Sequence, residues 1–429
     1  MNLKFPRSVG AVSGWMIIAF ILGVAFHSAF AFQPLPDSFW KSYFFLCAFL
    51  IAFFVSRGRG DSQNSGLSNT ILPQTMLLVL FAFSLGVWRV DVAPRPHLQR
   101  FNNRIFLVSQ SSAGTGLAKA LVDWRLFVSA RIAKALPPDQ SALVAGILYG
   151  EKQLSKEQRD AFVASGLMHI VAVSGSNVTV VVQFISFLVL SFGLRRRSGF
   201  LLTSLAIVSF VGFVGFSASV ARAATMGWLI LLARLSGRIV TPSRILFAAA
   251  AFLLLINPWQ LFYDIGFALS FLAMWGLLSW APLFQSRLSF LTKRLSIRES
   301  VSMTLAATLM TAPYLAWAFE RMTLAGLITN IIVLPLVPFT MLWGAVSAAW
   351  GDLPFGFIVN APAEGLAVAI QKIASLAEVA PWLNLKIYAL DLSTVVATYA
   401  LIFYLRSQLS AKNELSTIGR NNDRKAGYF

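Results

Sequence analysis

The chain has 429 residues, of which 57% are hydrophobic and 12% are charged, and its formal net charge is +18. A soluble domain carries roughly 25% charged residues, so this composition excludes an ordinary water-soluble fold and predicts that lipid is the solvent. A charge this positive predicts anionic partners, either lipid head groups or nucleic acid. The single cysteine, Cys47, excludes an internal disulfide and a cysteine-based metal site, and we interpret it as a packed thiol.

The chain begins with a basic start, Lys4 and Arg7, followed by a long apolar run. This run is longer than the apolar region of a signal peptide, and we interpret it as a retained first span. Because a bilayer core needs around 20 apolar residues per helix, about eleven stretches are candidate spans, predicting roughly ten crossings of a lipid bilayer. They are residues 9–32, 38–55, 71–88, 165–192, 198–216, 218–235, 243–257, 262–281, 300–319, 324–349 and 389–406.

Basic clusters between the spans predict their orientation, because Lys and Arg are enriched in cytoplasmic loops. All of these clusters fall on one side of the membrane: Lys4 and Arg7, Arg57 and Arg59, Arg195 to Arg197, Arg234 with Arg238 and Arg244, and Lys293 with Arg294 and Arg298. Residues 89–164 are then predicted to lie outside the cytoplasm. The same count places the basic tail after Tyr404 outside, so one span is either miscounted or re-entrant. The regions in question are 324–349, which contains two prolines, and the amphipathic stretch 353–380.

The external segment contains a predicted amphipathic helix that ends before Pro137. Its apolar residues recur at spacings of three and four: Leu117, Leu121, Trp124, Val128, Ile132 and Ala135. Its basic residues lie elsewhere on the circumference: Lys119, Arg125, Arg131 and Lys134. A helix of this kind is typical of one that lies flat on a bilayer. Nucleic acid is the alternative ligand, because residues 89–164 carry eleven Lys and Arg against six Asp and Glu.

The most informative stretch, residues 146–182, reads GILYGEKQLSKEQRDAFVASGLMHIVAVSGSNVTVVV. An apolar turn with two glycines and a charged helix lead into a span that opens with a histidine and is interrupted by Ser-Gly-Ser-Asn. The stretch resembles the signature of the ComEC competence-protein family, which contains a Gly-Leu-x-His-(apolar)-Ala-Val-Ser-Gly run. The matching residues are Gly166, Leu167, His169, Ala172, Val173, Ser174 and Gly175. Where many members continue with Leu-His-Val, this chain has Ser176, Asn177 and Val178, so a second histidine is lost.

Three later stretches resemble the same family in the same order. Residues 221–238 resemble its arginine-bearing span, and residues 257–276 resemble its Gly-Phe-x-Leu-Ser-Phe segment. Residues 311–338 resemble the segment that carries an asparagine and a Pro-x-x-Pro ending. Four ordered motifs are more specific than one, and the resemblance covers roughly residues 140–350.

The resemblance implies an inner-membrane channel through which single-stranded DNA enters the cytoplasm during natural transformation. It also implies membrane lipids, a DNA receptor, a separate nuclease and a cytoplasmic motor as partners, with no cofactor and with a homo-oligomer left open. Members commonly have an external OB-like domain and a C-terminal metallo-β-lactamase-like domain, and this sequence has neither in full. Its three histidines, His27, His97 and His169, are too widely separated for the His-x-His-x-Asp-His metal cluster of that hydrolase. We therefore expect a channel without a metal site or catalytic residues.

Polar residues inside an apolar span are costly unless they are paired or face water, which makes them the candidate site. One span carries His169, Ser174, Ser176, Asn177, Thr179 and Gln183. A helix broken at Gly175 would free backbone groups for a water-filled cavity, whereas the alternative is that these residues join neighbouring helices. The predicted channel and DNA-binding set is His169, Ser174, Gly175, Ser176, Asn177, Arg222, Asp264, Ser270 and Asn330. Arg222 is expected either to reach the membrane surface or to pair with Asp264, and a structural pair and a functional one are equally open.

The predicted fold is all-α: a polytopic transmembrane helical bundle with broken or re-entrant helices and an interfacial amphipathic helix. Its predicted parts are an N-terminal transmembrane region, 1–88; an external basic segment, 89–140; a competence-type channel domain, 141–406; and a polar basic tail, 407–429, expected to be disordered.

Three other functions compete with a DNA channel. An intramembrane hydrolase would use Ser174 or Ser176 activated by His169, but a spacing of five positions between His169 and Ser174 is poor helical registry and no carboxylate lies nearby in sequence. A small-molecule or ion transporter would use broken helices equally well. A degenerate family member that no longer moves DNA is the third.

Overall fold

The computed structural model describes residues 9–30, 40, 42–44, 68–93, 98–101, 104–107, 117–151, 153–171, 175–215, 218–237, 241–291, 297–319, 321–377, 384–386 and 390–426. Helices dominate these residues. They are α1 (Val9–Phe30), α2 (Ser68–Asp91), α3 (Leu117–Ala135), α4 (Pro138–Tyr149), α5 (Lys156–Ala164), α6 (Met168–Val171), α7 (Gly175–Ser191), α8 (Arg196–Val214), α9 (Ala218–Leu235), α10 (Pro242–Ile256), α11 (Gln260–Tyr263), α12 (Ile265–Ser279), α13 (Ala281–Arg287), α14 (Ile297–Phe319), α15 (Ala325–Val333), α16 (Val337–Trp350), α17 (Gly356–Leu376) and α18 (Leu392–Ala426). The strands are β1 (Leu98–Phe101), β2 (Arg104–Leu107), β3 (Arg321–Thr323) and β4 (Asn384–Lys386).

The described residues are helical, as the predicted all-α fold requires, and two small strand pairs accompany the helices. β1 and β2 are antiparallel, with Leu98 opposite Leu107. β3 and β4 are also antiparallel, with Arg321 opposite Lys386. Strands of 3 or 4 residues are too short to show a period-two pattern in sequence. The fold is therefore helical with two small strand pairs, each placed between helices.

The chain divides into two compact units. Unit 1 comprises residues 1–130, 148–150 and 173–271, and unit 2 comprises residues 131–147, 151–172 and 272–429. The boundaries fall within helices as well as between them, because α3, α4 and α12 each contribute residues to both units.

In unit 1, α1 packs against α2, α10 and α11. The two long helices α1 and α2 approach closely at glycines, since a Cβ added to Gly23 would overlap the carbonyl oxygen of Phe83, and one added to Gly86 would overlap that of Phe20. Small residues that bring backbones together are typical of helix pairs in membranes. The core of this unit consists of Ala19, Phe20, Val24, Ala82, Val90, Ala250, Leu253, Leu254 and Phe267. A second group, α7, α8 and α9, packs mutually, and α9 also packs against α10.

In unit 2, α14 packs against α13, α15 and α18. Pro313 lies inside α14 and has no backbone N–H, so the carbonyl of Leu309, four residues earlier, lacks its usual helical partner. The Tyr399 hydroxyl of α18 donates to the carbonyl oxygen of Met310 in that same turn, at 2.8 Å. Ile402 of α18 is buried in the core of this unit with Trp280, Ala281, Ala306 and Met310. The last helix thus stabilises the proline-containing part of α14.

In the structure, residues 407–426, which were predicted to form a disordered polar tail, continue α18 as helix. The apolar first half of α18 is already anchored on α14, and extending an existing helix needs no new nucleation. The residues that follow include Ala411, Lys412, Glu414 and Leu415, which all favour helix.

The length and apolar character of α8 and α14 are sufficient for either helix to cross a membrane. Two bent pairs raise the number of candidate spans among the described residues to four: α12 with α13, bent by 44°, and α15 with α16, bent by 52°. Shorter apolar helices lie at Val12–Ser28, Asn177–Ser191 and Pro242–Ile256. The break predicted at the two prolines of 324–349 is confirmed, because α15 ends at Val333 and α16 begins at Val337. Most of the predicted span 38–55, with Cys47, lies outside the described residues.

Candidate functional site

The Gly-Leu-x-His motif forms a turn between α5 and α6 in unit 2. Gly166 has a positive φ of 72°, which favours glycine, and a Cβ at this position would lie 3.0 Å from the Cα of Gly326 in α15. The Thr329 hydroxyl donates to the carbonyl oxygen of the buried Ser165 at 2.8 Å. The turn at Gly166 and helix α15 therefore pack tightly and hold each other in position. The sequence did not indicate that Ser165 and Thr329 join them.

Two predicted site residues lie beside this turn. His169 is exposed, and its Nδ1 donates to the carbonyl oxygen of Gly166 at 2.9 Å. Because a carbonyl only accepts, Nδ1 carries a hydrogen and Nε2 is the ring nitrogen available to a ligand. Asn330, on α15, has a buried side-chain oxygen without a hydrogen-bond partner among the described residues. Both side chains thus retain polar capacity that the fold does not use.

The predicted break at Ser-Gly-Ser-Asn lies next to residues outside the described part of the chain. Helix α6 ends at Val171 and α7 begins at Gly175, so Ser174 and the side chain of Ser176 are not described. The break therefore stays a prediction. Asn177, in the first turn of α7 in unit 1, is fully buried.

Arg222 of α9 and Asp264, which precedes α12, form an ion pair within unit 1. Arg222 Nη1 lies 3.7 Å from Asp264 Oδ2, and the side chains are 5% and 17% exposed. Of the two outcomes expected for Arg222, the structure has the pair, and the arginine side chain is buried. Ser270 was predicted to join this site, but its hydroxyl donates to the carbonyl oxygen of Phe267 within α12, at 3.3 Å.

Arg125, one of the predicted external basic residues, is held by contacts within unit 1. Its Nη1 donates to the carbonyl oxygen of Val214 at 3.2 Å, and its guanidinium carbon lies 5.2 Å from the centre of the Tyr149 ring. An arginine over an aromatic face is stabilised by the ring quadrupole. Arg125 therefore has a structural role that a count of charges does not show.

Arg131 is held in a similar way within unit 2. Its Nη2 donates to the carbonyl oxygen of Ala349 at 3.0 Å and lies 3.6 Å from Asp352 Oδ2. Lys134 is exposed, and the side chain of Lys119 lies outside the described residues. Helix α3 itself is confirmed with its predicted end before Pro137, whereas its basic residues are less uniformly exposed than the pattern predicts.

Sequence reasoning missed a buried polar cluster in unit 1. His27 of α1 contacts Asp91 at the end of α2 through Nε2 and Oδ1, and Trp40 Nε1 donates to Asp91 Oδ2 at 2.8 Å. The three residues are far apart in sequence, so spacing gives no signal for them. Among the described residues, no group of three or more His, Cys, Asp or Glu side chains is arranged to hold a metal ion.

Apolar helices, some joined as bent pairs, and a buried arginine–aspartate pair define an α-helical protein of the membrane-associated class. The profile of a family described as competence protein matches residues 147–412. The chain belongs to this family, and the resemblance to the ComEC competence proteins is confirmed. The matched region contains the motif at 166–175 and the three later motifs.

The chain is also similar to ComE operon protein 3 of Bacillus subtilis (strain 168), with 27% identity over 231 residues. The alignment covers 52% of this chain and 29% of that protein, so the chain spans less than a third of this relative. No solved structure matches the chain.

Proposed function

We propose that this chain is a multi-pass inner-membrane channel or translocase subunit that passes single-stranded DNA into the cytoplasm during natural transformation. The observation that carries the proposal is the family match over residues 147–412. The similarity to ComE operon protein 3 supports it. Membrane lipids surround the channel, and a DNA receptor, a separate nuclease and a cytoplasmic motor supply capture, strand degradation and driving force.

Buried polar groups support the proposal physically. Arg222 and Asn177 are buried in α9 and α7, which pack against each other in unit 1. Such groups are costly in an apolar setting, and they are typical of substrate pathways through membranes. A guanidinium contacts any phosphate alike, which suits a strand of arbitrary sequence. We therefore expect transport without sequence specificity.

A small-molecule or ion transporter is the second candidate. The bent pairs, 44° between α12 and α13 and 52° between α15 and α16, favour it, because discontinuous helices bind ions and small substrates near the middle of a membrane. The two candidates differ in the cargo that disappears from the cytoplasm when the gene is deleted.

The main test measures uptake of fluorescently labelled DNA in cells that lack the gene. We expect labelled DNA to remain outside the cytoplasm, and complementation to restore entry. Normal cytosolic accumulation in the deletion strain would exclude DNA import and would leave a transporter or a degenerate family member.

A second test assigns the site by complementation at equal protein abundance. We expect Arg222→Ala and Asn177→Ala to reduce transformation at least about tenfold, the loss expected when about 1.4 kcal/mol of favourable interaction with the strand is removed. Arg234→Ala is the matched control, because Arg234 lies on the same helix with an exposed side chain. Unchanged transformation in both site variants would remove these residues from the pathway and leave the family function intact.

A third test measures the orientation. In a Cys47→Ala background, single cysteines replace Lys134, in the predicted external segment, and Arg196, in a predicted cytoplasmic cluster; both positions are exposed. We expect an impermeant maleimide to label intact spheroplasts at position 134 and not at position 196. The reverse pattern would contradict the orientation given by the basic clusters.

A further inference from the structure

The guanidinium of Arg222 lies at the first turn of α12. A Cβ added to Gly266 would lie 3.1 Å from Arg222 Nη2 and 3.6 Å from Nη1. The side chain is 5% exposed, so a charged group is fixed against a helix N-terminus where the backbone has no side chain in the way. Helix α12 has 15 residues, long enough to present a full set of N-terminal amides.

Arg222 has more hydrogen-bond donors than the described residues supply acceptors for. Its Nε and Nη1 are buried without a hydrogen-bond partner among the described residues. Asp264 Oδ2 is 3.7 Å from Nη1, beyond hydrogen-bond distance, and Asp264 Oδ1 accepts from the backbone N–H of Phe267 at 3.0 Å. The carboxylate thus caps α12 and only attracts the guanidinium, leaving directional donors for another oxygen atom.

The helix adds donors to the same place. The first N–H groups of an α-helix have no acceptor within the helix, and here Asp264 uses that of Phe267 through its side chain and that of Ala268 through its carbonyl oxygen. The amides of Ile265 and Gly266 have no intrahelical acceptor. Arginine and a helix N-terminus together are the combination that binds phosphate, because both present N–H donors to several oxygens of one anion.

We propose that Arg222 and the first turn of α12 form a phosphate-binding site. In the structure the carboxylate of Asp264 balances the charge of the guanidinium, and a bound phosphate group takes the place of Asp264 beside it. Asp264 is the more exposed partner, 17% against 5%, so an incoming anion meets the carboxylate before the arginine. Identifying that phosphate with the backbone of a DNA strand rests on the proposed function. Phosphate binding itself does not.

The test uses the full-length protein purified in detergent and titrated with inorganic phosphate, with binding followed by calorimetry. Wild type is expected to bind phosphate. Gly266→Ala places a methyl group 3.1 Å from Arg222 Nη2 and 3.1 Å from Asp264 Oδ1, in the space that the anion would enter. It is expected to weaken phosphate binding at least about tenfold, and the melting temperature of the same sample shows whether crowding of the capping carboxylate also destabilises the fold. Gly227→Ala is the matched control, because its Cβ would make ordinary contacts at 3.8 Å and 3.9 Å on the same helix as Arg222.

Asp264→Asn supplies the second arm. It removes the competing charge and keeps an oxygen that caps the helix, so we expect phosphate to bind about tenfold more tightly. Equal phosphate affinity in wild type, Gly266→Ala and Asp264→Asn would overturn the inference, as would weaker binding in Asp264→Asn. Should Asp264→Asn fail to fold, the glycine pair decides alone.

Further titrations identify the source of the phosphate. A short oligothymidylate and micelles containing phosphatidylglycerol are compared with inorganic phosphate, each against wild type and Gly266→Ala. If Gly266→Ala weakens the binding of the oligonucleotide and of the free ion but not of the lipid, the site takes a nucleic-acid phosphate. If the variant weakens the binding of the lipid instead, that assignment is overturned. Phosphate binding with normal DNA uptake in the deletion strain would refute the proposed function alone, whereas gene-dependent uptake without phosphate binding would refute this site alone.

Discussion

Neutralising Arg222 and Asp264, separately and together, tests whether their pair serves the fold, the anion, or both. At 3.7 Å and an effective dielectric of about 20, their attraction is about 4 kcal/mol before desolvation is subtracted. Removing one partner leaves the other charge buried. Because Arg222 is the less exposed of the two, Asp264→Asn is expected to lower the free energy of unfolding by about 3 kcal/mol, and Arg222→Gln by about 2 kcal/mol.

The double variant Arg222→Gln/Asp264→Asn buries no charge, and we expect it to lose only about 2 kcal/mol, well below the summed effects of the single variants. Unfolding is measured by titration with sodium dodecyl sulfate in mixed micelles and followed by the fluorescence of the 12 tryptophans. Arg234→Gln, an exposed arginine on the same helix, is the control and is expected to stay within about 0.5 kcal/mol of wild type.

DNA uptake separates the two roles of the pair. The double variant is expected to be more stable than Asp264→Asn but not to regain uptake, because a phosphate requires the positive charge that Arg222→Gln removes. Strictly additive losses of stability would show that the two side chains are not coupled at the observed distance. Wild-type uptake by the stable double variant would show that the pair serves the fold alone.

Two further predictions concern packing. Gly86→Ala should lower the free energy of unfolding by about 2 kcal/mol or more, because the added Cβ overlaps the carbonyl oxygen of Phe20. The control Gly14→Ala has open space around the added Cβ and should be neutral or stabilising. Equal effects of the two variants in the same detergent titration would contradict the close approach of α1 and α2. Tyr399→Phe should cost about 1 kcal/mol in that assay because it removes the hydroxyl that donates to the carbonyl oxygen of Met310, and no loss would show that the hydrogen bond does not stabilise α14.

Features that depend on neighbouring residues could be predicted from the sequence. The break between α15 and α16 follows from Pro335 and Pro338, since each proline lacks a backbone donor. Helix α3 follows from its apolar spacing and ends before Pro137 as expected. Pairing with Asp264 was one of the two alternatives that the sequence left open for Arg222. Both residues lie in segments that resemble the same family.

Features that depend on contacts between distant segments could not be predicted. The cluster of His27, Trp40 and Asp91 joins residues from separate elements, and no periodicity relates them. The same limit applies to Arg125 and Arg131, which were expected to face a bilayer surface or, alternatively, a nucleic acid. A sequence shows that an arginine is present, but the carbonyl oxygens it binds carry no signal in the pattern.

The partners of the charged side chains explain why Arg222 stands out as a ligand site. The buried Asp91 accepts from Trp40 as well as contacting His27, so polar neighbours lower the cost of its burial. Arg131 donates to a carbonyl oxygen in addition to its attraction to Asp352, and its side chain is 28% exposed, so water also solvates it. At Arg222 the carboxylate is too distant for a hydrogen bond and two donor nitrogens have no partner among the described residues. A buried guanidinium left in this state is costly to the fold, and an anion that supplies the missing oxygens would remove that cost, which is why the cargo pathway is expected to pass this residue.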